Sequence, residues 1–330
     1  MHSESHAGLH ARLLDWFAEA ARELPWRGGA TPWGVFVSEV MLQQTPVVRV
    51  EPVWHEWMRR WPTPTALAAE PPGEAVRAWG RLGYPRRALR LHAAATAMRD
   101  EHGGEVPSTE AELLTLPGVG VYTAAAVAAF AFGERTTVVD TNIRRVLARS
   151  RSGQQFPASA LTRAELALAA SLVPEDRDDA ATWNVAVMEL GALVCTARTP
   201  QCDACPIADL CAWLLAGHPA HEGPPRRGQA WHGTDRQARG ALLAVLRESD
   251  GPVTRAPLAA AVPDEVRRER CLDGLVADGL VEPLARGRFQ LPGGSLTART
   301  PEPVKAAEPV NGVPEPVNEV PEPAEERYAG

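Results

Sequence analysis

Four of the five cysteines of this chain fall within 17 residues. They follow the spacing Cys195-x6-Cys202-x2-Cys205-x5-Cys211. Thiols at this density are typical of metal ligands, and a structural zinc site is one interpretation, although such a site usually has two close cysteine pairs and here there is one. Four cysteines spaced unevenly around a single pair favour a 4Fe-4S cluster. The predicted iron–sulfur loop spans residues 195–211.

The sequence has no feature of a secreted or membrane-spanning protein. The fifth cysteine, Cys271, is expected to be an ordinary core residue. Residues 1–6 lack the basic and apolar regions of a signal peptide, and no stretch approaches the roughly 18 apolar residues of a membrane span. We therefore predict a cytoplasmic protein.

The pattern of apolar residues predicts a mostly helical chain with four parts. Residues 8–216 have helical periodicity with short Pro and Gly breaks and no strand alternation. A linker is predicted at 217–230, and residues 231–294 read as a small winged-helix-like module whose β-hairpin turns at Arg286-Gly287. The Pro- and Glu-rich segment 295–330 is predicted to be a disordered tail. The three helices expected in the module span 236–246, 254–261 and 264–278.

The net charge of −7 hides two local excesses of positive charge. Six arginines and no acidic residue lie between Glu74 and Asp100, and five arginines and no acidic residue lie between Asp140 and Glu165. Such runs suit a phosphate-binding surface, and they are equally typical of a solvated helix face.

A Leu116-Pro-Gly-Val-Gly120 turn connects two predicted helices, over 107–116 and over Tyr122–Phe132. The glycines permit a close approach of the backbone, and the following helix N-terminus favours an anion. The candidate phosphate-binding amides are those of Gly118, Val119 and Gly120. We interpret the segment as a helix-hairpin-helix that binds a DNA phosphate, whereas a plain αα-hairpin is the alternative.

A carboxylate and an amide lie at the start of another predicted helix, Thr141–Ser150. Asp140 is in the position of an N-cap, which is the commonest role of such a residue. Asn142 suits either a polar site or the first helical turn.

The turn, Asp140 and the cysteine run together resemble the helix-hairpin-helix DNA glycosylases of the endonuclease III superfamily. Within that superfamily, four segments resemble the adenine DNA glycosylases (the MutY type): Leu24–Arg27, Ser38–Thr45, Leu82–Tyr84 and Glu189–Cys195. The resemblance covers about residues 10–215. It implies a mostly α fold, the helix-hairpin-helix glycosylase fold with an iron–sulfur cluster domain, here followed by the winged-helix-like module.

The resemblance also implies an activity and its catalytic residues. The protein is expected to be a monomeric, nucleoid-associated and monofunctional DNA glycosylase of base excision repair, which hydrolyses the N-glycosidic bond of adenine mispaired with 8-oxoguanine or guanine in double-stranded DNA. Glu39 matches the acid that protonates adenine, and Asp140 matches the carboxylate that stabilises the positive sugar. Tyr122 occupies the position of the lysine of lyase relatives. The only lysine of the chain is Lys305, in the predicted tail, so lyase chemistry through a side-chain amine is excluded.

Further residues match positions that contact the substrate in this family. The expected substrate-binding residues are Arg27, Trp26, Leu42, Gln44, Tyr84, Glu189 and Asn142. Gln44 and Tyr84 are expected to insert near the opposite strand, and the target base must leave the stack. Plain core packing is an equal alternative for Trp26 and Leu42.

The C-terminal part departs from the family pattern. Residues 231–294 are too short for the Nudix-like domain that usually reads 8-oxoguanine, so the module could bind DNA, bind a partner or only cover the catalytic domain. A thymine glycosylase acting on T:G mismatches is the nearest rival, and the segment Ser38–Thr45 argues against it. A non-catalytic iron–sulfur DNA-binding protein is a second rival, and it requires neither Glu39 nor Asp140.

Overall fold

The computed structural model describes residues 2–221, 223 and 233–294. The predicted tail 295–330 and most of the predicted linker lie outside the described residues. Helices dominate the described part, and the strands within it form one hairpin. The helices are α1 (His2–Ala20), α2 (Pro32–Leu42), α3 (Val47–Arg60), α4 (Pro64–Ala68), α5 (Pro72–Trp79), α6 (Arg86–Glu101), α7 (Glu110–Leu113), α8 (Val121–Phe132), α9 (Thr141–Ser150), α10 (Arg163–Ser171), α11 (Arg177–Leu193), α12 (Ala212–Leu215), α13 (Asp235–Arg247), α14 (Arg255–Ala261) and α15 (Glu265–Ala277); the strands are β1 (Glu282–Leu284) and β2 (Arg288–Gln290). None of the described helices is long and apolar enough to span a membrane.

The central helix is α8, which is apolar on all sides and therefore buried. One side of α8, with Val127, belongs to a core that also includes residues of α2 to α6. The other side, with Ala126, belongs to a second core formed with α1, α9 and α11. Helix α2 packs on α8 from the first side, and α11 packs on it from the second. The small side chains of α8 thus allow two helical lobes to meet along one element.

The predicted helix boundaries are confirmed on one side of the hairpin turn and wrong on the other. Helix α8 ends at Gly133, which adopts a left-handed conformation with φ of 65°. The helix predicted over 107–116 is only α7, Glu110–Leu113. Thr109 caps it, accepting a hydrogen bond from the Glu112 amide. The α-helix ends at Leu113 because the next amides, of Thr115 and Leu116, bond to carbonyls three residues back and not four, which makes tight turns.

Most of the arginines in the two basic runs form bonds within the chain, even where the side chain is exposed, as for Arg86. Arg86 pairs with Asp278 at 3.2 Å, and Arg144 pairs with Glu165 at 2.8 Å. Others with internal partners are Arg77, Arg87, Arg99, Arg145 and Arg149. Four arginines of these runs have no such side-chain bond to another described residue: Arg81, Arg90, Arg151 and Arg163. Fewer arginines of these runs are therefore available to bind phosphate than their number in the sequence suggests.

The C-terminal module has the three helices and the hairpin expected for it. Asp264 caps α15 as predicted, accepting a hydrogen bond from the Arg267 amide at 3.0 Å. The hairpin pairs Leu284 with Arg288 and turns through residues of positive φ at Arg286 and Gly287. Its apolar residues belong to the same core as those of α2 to α6.

The module docks on α5 through the backbone. The Gly73 amide donates to the Pro292 carbonyl at 2.8 Å. A Cβ on Gly73 would lie 2.6 Å from that oxygen, so only glycine fits there. On the same side, Arg247 donates to the Val76 carbonyl at 3.0 Å. The core continues between the catalytic part and the module, and the domain boundaries remain a prediction.

Candidate active site

A cavity of about 1000 Å³ lies where the two lobes meet. It is lined by nine of the ten residues predicted to act in catalysis or substrate binding: Trp26, Arg27, Glu39, Leu42, Gln44, Tyr122, Asp140, Asn142 and Glu189. Tyr84 lies outside the cavity and is 49% exposed. The fold therefore collects residues that span most of the first 200 positions around one space.

Glu39 is a buried carboxylic acid in an apolar helix. Thr31 caps α2, and every residue from Trp33 to Met41 is buried. The Tyr122 hydroxyl donates a hydrogen bond to Glu39 Oε2 at 2.8 Å. Burial raises the pKa of Glu39 to about 7, with a further increase from Asp140 and opposing effects of the Tyr122 bond and of Arg27. At neutral pH the side chain is thus present in both its acid and its ionised forms.

Tyr122 serves as a neutral hydrogen-bond donor to this acid. It lies in the first turn of α8, directly after the hairpin turn. Burial and the nearby carboxylates of Glu39 and Asp140 raise the pKa of Tyr122 well above its usual value. The phenol therefore keeps its proton and fixes one oxygen of Glu39, which leaves the other oxygen free to face the cavity.

Asp140 combines the two roles that the sequence left open for it. Its Oδ1 accepts a hydrogen bond from the Ile143 amide at 2.6 Å, which makes it the N-cap of α9. Its Oδ2 accepts from Asn142 Nδ2 at 2.8 Å. Burial raises the pKa of Asp140, and these hydrogen bonds together with the charge of Arg145 oppose that increase. Asp140 is therefore a cap that also presents a carboxylate to the cavity.

Glu189 is ionised and holds two arginines at the wall of the cavity. Its side chain is fully buried, with Arg22 Nη2 at 2.6 Å and Arg27 Nη2 at 3.0 Å. Burial alone would raise the pKa of Glu189, but hydrogen bonds from Arg22 and Arg27 lower it to about 2. Arg27 also lies 5.7 Å from the ring centre of Phe17. Glu189 thus orients Arg27 and does not act as an acid.

Trp26 and Leu42 contribute both to the wall of the cavity and to the core. Trp26 is 6% exposed and meets Trp54 edge-on, with ring centres 5.9 Å apart. Leu42 is only partly buried and packs against the same core. The positions of Trp26 and Leu42 are therefore compatible both with substrate binding and with plain core packing, the two interpretations proposed from the sequence.

Gln44 and Tyr84 share an uncommon backbone conformation. Both are non-glycine residues with positive φ, 56° at Gln44 and 47° at Tyr84. Gln44 lies between α2 and α3, and Tyr84 lies between α5 and α6. Such conformations are concentrated at functional sites, where the surrounding structure holds them in place.

The hairpin turn offers two open amides rather than three. Gly118 has φ of 79°, and a Cβ there would meet the Arg90 side chain at 2.7 Å. The Val119 amide donates to the Leu116 carbonyl at 3.2 Å. Among the described residues, the Gly118 and Gly120 amides have no such acceptor. These two amides lie next to the N-terminus of α8, the end of a helix that favours an anion.

The four cysteines share one loop that α9 holds in place. Arg149 Nη1 lies 3.4 Å from Cys195 Sγ, and Arg145 donates to the Cys195 carbonyl at 2.7 Å. Burial raises the pKa of Cys205 to about 11, with added effects of the other three cysteines, while the Ile207 amide opposes the increase. The four thiols thus influence one another electrostatically within this loop. In the described part of the chain, however, no group of His, Cys, Asp or Glu is arranged to hold a single metal ion.

Several residues of the site were missed in the sequence. Arg22 binds Glu189, which is 167 positions away, and nothing in the local sequence indicates that partner. Arg87 donates to the ends of two loops and was counted only as part of a basic run. Gln43 donates to Thr123 at 3.2 Å and so links α2 to α8.

Two family models match the chain. Residues 37–170 match the HhH-GPD superfamily base excision DNA repair proteins. Residues 195–211, the four-cysteine loop, match the iron–sulfur binding domain of endonuclease III. The first match includes Glu39, Tyr122 and Asp140, whereas α1 and α11 lie outside both matched ranges.

Full-length relatives and solved structures agree with the family models. The adenine DNA glycosylase of Mycobacterium tuberculosis is 53% identical over 283 residues, which cover 85% of this chain and 92% of that relative. A thermostable thymine-DNA glycosylase has a TM-score of 0.59 at 27% identity, over 65% of this chain and 99% of that one. A non-covalent complex of endonuclease III with DNA has a TM-score of 0.54 at 25% identity, over 63% of this chain and 94% of that one. The match to the mycobacterial relative contains more residues than this chain has before residue 233. The match therefore includes part of the module.

Proposed function

The chain belongs to the adenine DNA glycosylases of base excision repair, and from that premise we propose that it removes adenine opposite 8-oxoguanine or guanine by hydrolysis, with Glu39 as the acid and Asp140 as the stabilising carboxylate. The observation that carries the proposal is the pair of carboxylic acids in one cavity. The buried Glu39 has a pKa raised to about 7, and Asp140 is held at the start of α9.

Each acid has a distinct part in the reaction. Neutral adenine leaves poorly unless its ring is protonated, and the acid form of Glu39 donates that proton. Departure of the base leaves an oxocarbenium-like sugar, whose positive charge the Asp140 carboxylate stabilises. Water then adds to C1′ and releases a proton, which restores the acid form of the site. Tyr122 holds Glu39 and offers no amine, so the reaction ends at the abasic site.

The remaining candidates bind the substrate in this proposal. Arg27, Trp26, Leu42 and Asn142 contact the extruded adenine in the cavity, and Glu189 fixes Arg27. Gln44 and Tyr84 enter the duplex beside the opposite base. The hairpin amides bind a backbone phosphate, as phosphate contacts position a protein without reading sequence. We further propose a monomer in the cytoplasm at the nucleoid, where its DNA substrate lies.

The test is a strand-cleavage assay of the abasic product under single-turnover conditions. Duplexes carry A opposite 8-oxoguanine, A opposite G, or T opposite G, with alkali added to cleave abasic sites. We expect cleavage of both adenine duplexes and none without alkali. Cleavage of the T:G duplex alone would replace the proposal with the thymine glycosylase, and no cleavage of any duplex would favour a non-catalytic DNA-binding protein.

The four-cysteine loop is the site of an iron–sulfur cluster, and we propose that it is of the 4Fe-4S type. The uneven spacing of the four cysteines around a single Cys202-x2-Cys205 pair fits a cluster better than zinc, and the match to the iron–sulfur binding domain supports it. Cys195, Cys202, Cys205 and Cys211 would be the ligands. The cluster would hold the loop against α9 as a structural unit, and glycosidic bond hydrolysis does not pass through it.

Substitution of one ligand should remove the cluster. Cys205→Ser, purified anaerobically, is expected to lose the iron and acid-labile sulfide of the wild-type protein, because serine is a poor ligand for the cluster. Cys271→Ala is the matched control, since Cys271 is a buried cysteine in the module, outside the loop. Four irons and four sulfides are expected per wild-type chain. Stoichiometric zinc without iron in that sample would contradict the assignment.

A further inference from the structure

Arg87 is a buried arginine without an acidic partner. It lies in the first turn of α6 and is 6% exposed. Among the described residues no carboxylate pairs with it, and burial lowers its pKa to about 10. An uncompensated buried charge is costly, so a residue of this kind needs other bonds to hold it.

Those bonds go to the end of the helix that carries Glu39. Arg87 Nη1 donates to three carbonyl oxygens there: those of Val40 at 2.9 Å, Met41 at 3.0 Å and Gln43 at 2.6 Å. The last carbonyls of a helix have no partner within it and carry the negative end of its dipole. Arg87 therefore closes the C-terminal end of α2, one turn after Glu39.

The second guanidinium nitrogen reaches the other loop. Arg87 Nη2 donates to the Gly83 carbonyl at 3.1 Å and to Thr45 Oγ1 at 2.9 Å. The Thr45 hydroxyl also lies 3.3 Å from the Leu82 carbonyl. One planar group thus connects the segment before Gln44 with the segment before Tyr84.

Both connected segments hold a residue in a strained conformation. Gln44 and Tyr84 have φ of 56° and 47°, and Arg87 bonds the residue immediately before each of them. The guanidinium also lies 5.5 Å from the ring centre of Tyr84. Left-handed conformations of non-glycine residues persist only where neighbouring bonds impose them. Arg87 supplies such bonds to both loops at once.

We propose that Arg87 is a positioning residue that fixes the Gln44 and Tyr84 loops relative to α2, so that insertion of the two loops into the duplex and delivery of adenine to Glu39 occur as one event. The inference rests on the proposed function, in which Gln44 and Tyr84 enter the duplex. Lysine cannot replace Arg87 in this role, because an ammonium group lacks the planar fork that reaches acceptors on both sides.

A purely structural role is separated from positioning by a matched control. Arg247 is a partly buried arginine whose pKa burial also lowers to about 10, and it donates to the Val76 carbonyl at 3.0 Å. It lies where the module meets α5, away from both loops and from the cavity. Arg247→Lys therefore removes a guanidinium bond to a helix carbonyl without affecting the link between the two loops.

The experiment uses the full-length, cluster-loaded protein and three measurements. The first measurement uses a duplex with 2-aminopurine opposite 8-oxoguanine, because the fluorescence of 2-aminopurine reports unstacking of the target base. The second is the single-turnover rate on A opposite 8-oxoguanine. The third is the affinity for an undamaged duplex. Arg87→Lys is expected to lower base extrusion and the rate at least about tenfold, because small misplacements of reacting groups slow catalysis strongly. Affinity for the undamaged duplex should stay unchanged. Arg247→Lys should leave all three measurements unchanged, even where it lowers Tm as much.

A second pair of variants keeps the test decisive if Arg87→Lys does not fold. Thr45→Val deletes the hydroxyl acceptor at nearly constant volume, and Thr45→Ser restores it. Extrusion should fall in the first and recover in the second. If Arg87→Lys extrudes the base as well as the wild-type protein does, the inference is overturned and the proposed function is not. If Arg87→Lys does not fold, the same conclusion follows from wild-type extrusion by Thr45→Val. Failure of the wild-type protein to extrude or excise the base would overturn the proposed function and with it this inference.

Discussion

Substitution of Glu39 by glutamine is expected to lower the single-turnover rate of adenine release at least ~100-fold, as is usual for loss of a general acid. Glutamine has nearly the same volume and still accepts the hydrogen bond that Tyr122 donates. It cannot donate a proton to adenine. Affinity for the mispaired duplex should therefore be nearly unchanged, and both quantities are measured on A opposite G.

The pH profile of the wild-type rate tests the same assignment. Because burial raises the pKa of Glu39 to about 7, the acid form is lost as pH rises through that value. The rate should therefore be highest below pH 7 and fall above it, whereas the residual rate of Glu39→Gln should not follow this titration. A wild-type rate that increases with pH across this range would assign the proton transfer to another group.

Unfolding measurements provide the control for this prediction. At pH values below 4.5, Glu39 is protonated in both the folded and the unfolded chain and contributes no difference. As pH rises toward about 7, the unfolded chain loses the proton and the folded chain keeps it, so stability declines. The full penalty is about 3 kcal/mol above pH 7, at 1.36 kcal/mol for each pKa unit. Glu39→Gln should thus be more stable than wild type at pH 8 and equal to it near pH 4. A less stable variant at pH 8 would mean that burial does not raise the pKa of Glu39.

Local sequence signals were sufficient for the elements that place the catalytic residues. Gly133 ends α8 and Asp140 caps α9 as predicted, because a left-handed glycine and a capping carboxylate act over only a few residues. The cysteine spacing identified the iron–sulfur loop for the same reason. The prediction failed at 107–116, because the helix begins only after its cap, Thr109, and the residues after Leu113 form tight turns.

Long-range pairing could not be obtained from the sequence. The bond between Arg22 and Glu189 joins α11 to the segment that follows α1, and neither segment signals the other. Arg87 appeared as one arginine of a basic run, although its five acceptors lie at the end of α2 and on two loops, which meet only in the folded chain. Charge counts along a sequence do not separate an arginine that faces DNA from one that supports the backbone. That distinction depends on which carbonyls the fold brings together.

Asp140 is the residue at which a local signal concealed a second role, and its two roles can be separated. Asparagine is as good an N-cap as aspartate, so Asp140→Asn should keep the bond to the Ile143 amide and leave Tm little changed. It removes the negative charge that the positively charged sugar requires. Asp264→Asn is the matched control, because Asp264 caps α15 in the module and lies outside the cavity.

We expect Asp140→Asn to lower the single-turnover rate of adenine release by about 100-fold, the usual effect of removing one preorganised electrostatic contact to a transition state. The effect should appear in the rate and not in the affinity for the mispaired duplex, since the positive charge develops only as the bond breaks. Asp264→Asn should leave the rate unchanged. If Asp140→Asn were as active as wild type while Asp140→Ala lost about 1 kcal/mol of stability, capping would be the whole role of Asp140. Stabilisation of the sugar would then have to come from another carboxylate of the cavity. Glu189 is paired with arginine, so the remaining carboxylate in the lining is Glu39, which is ionised once it has given its proton to adenine.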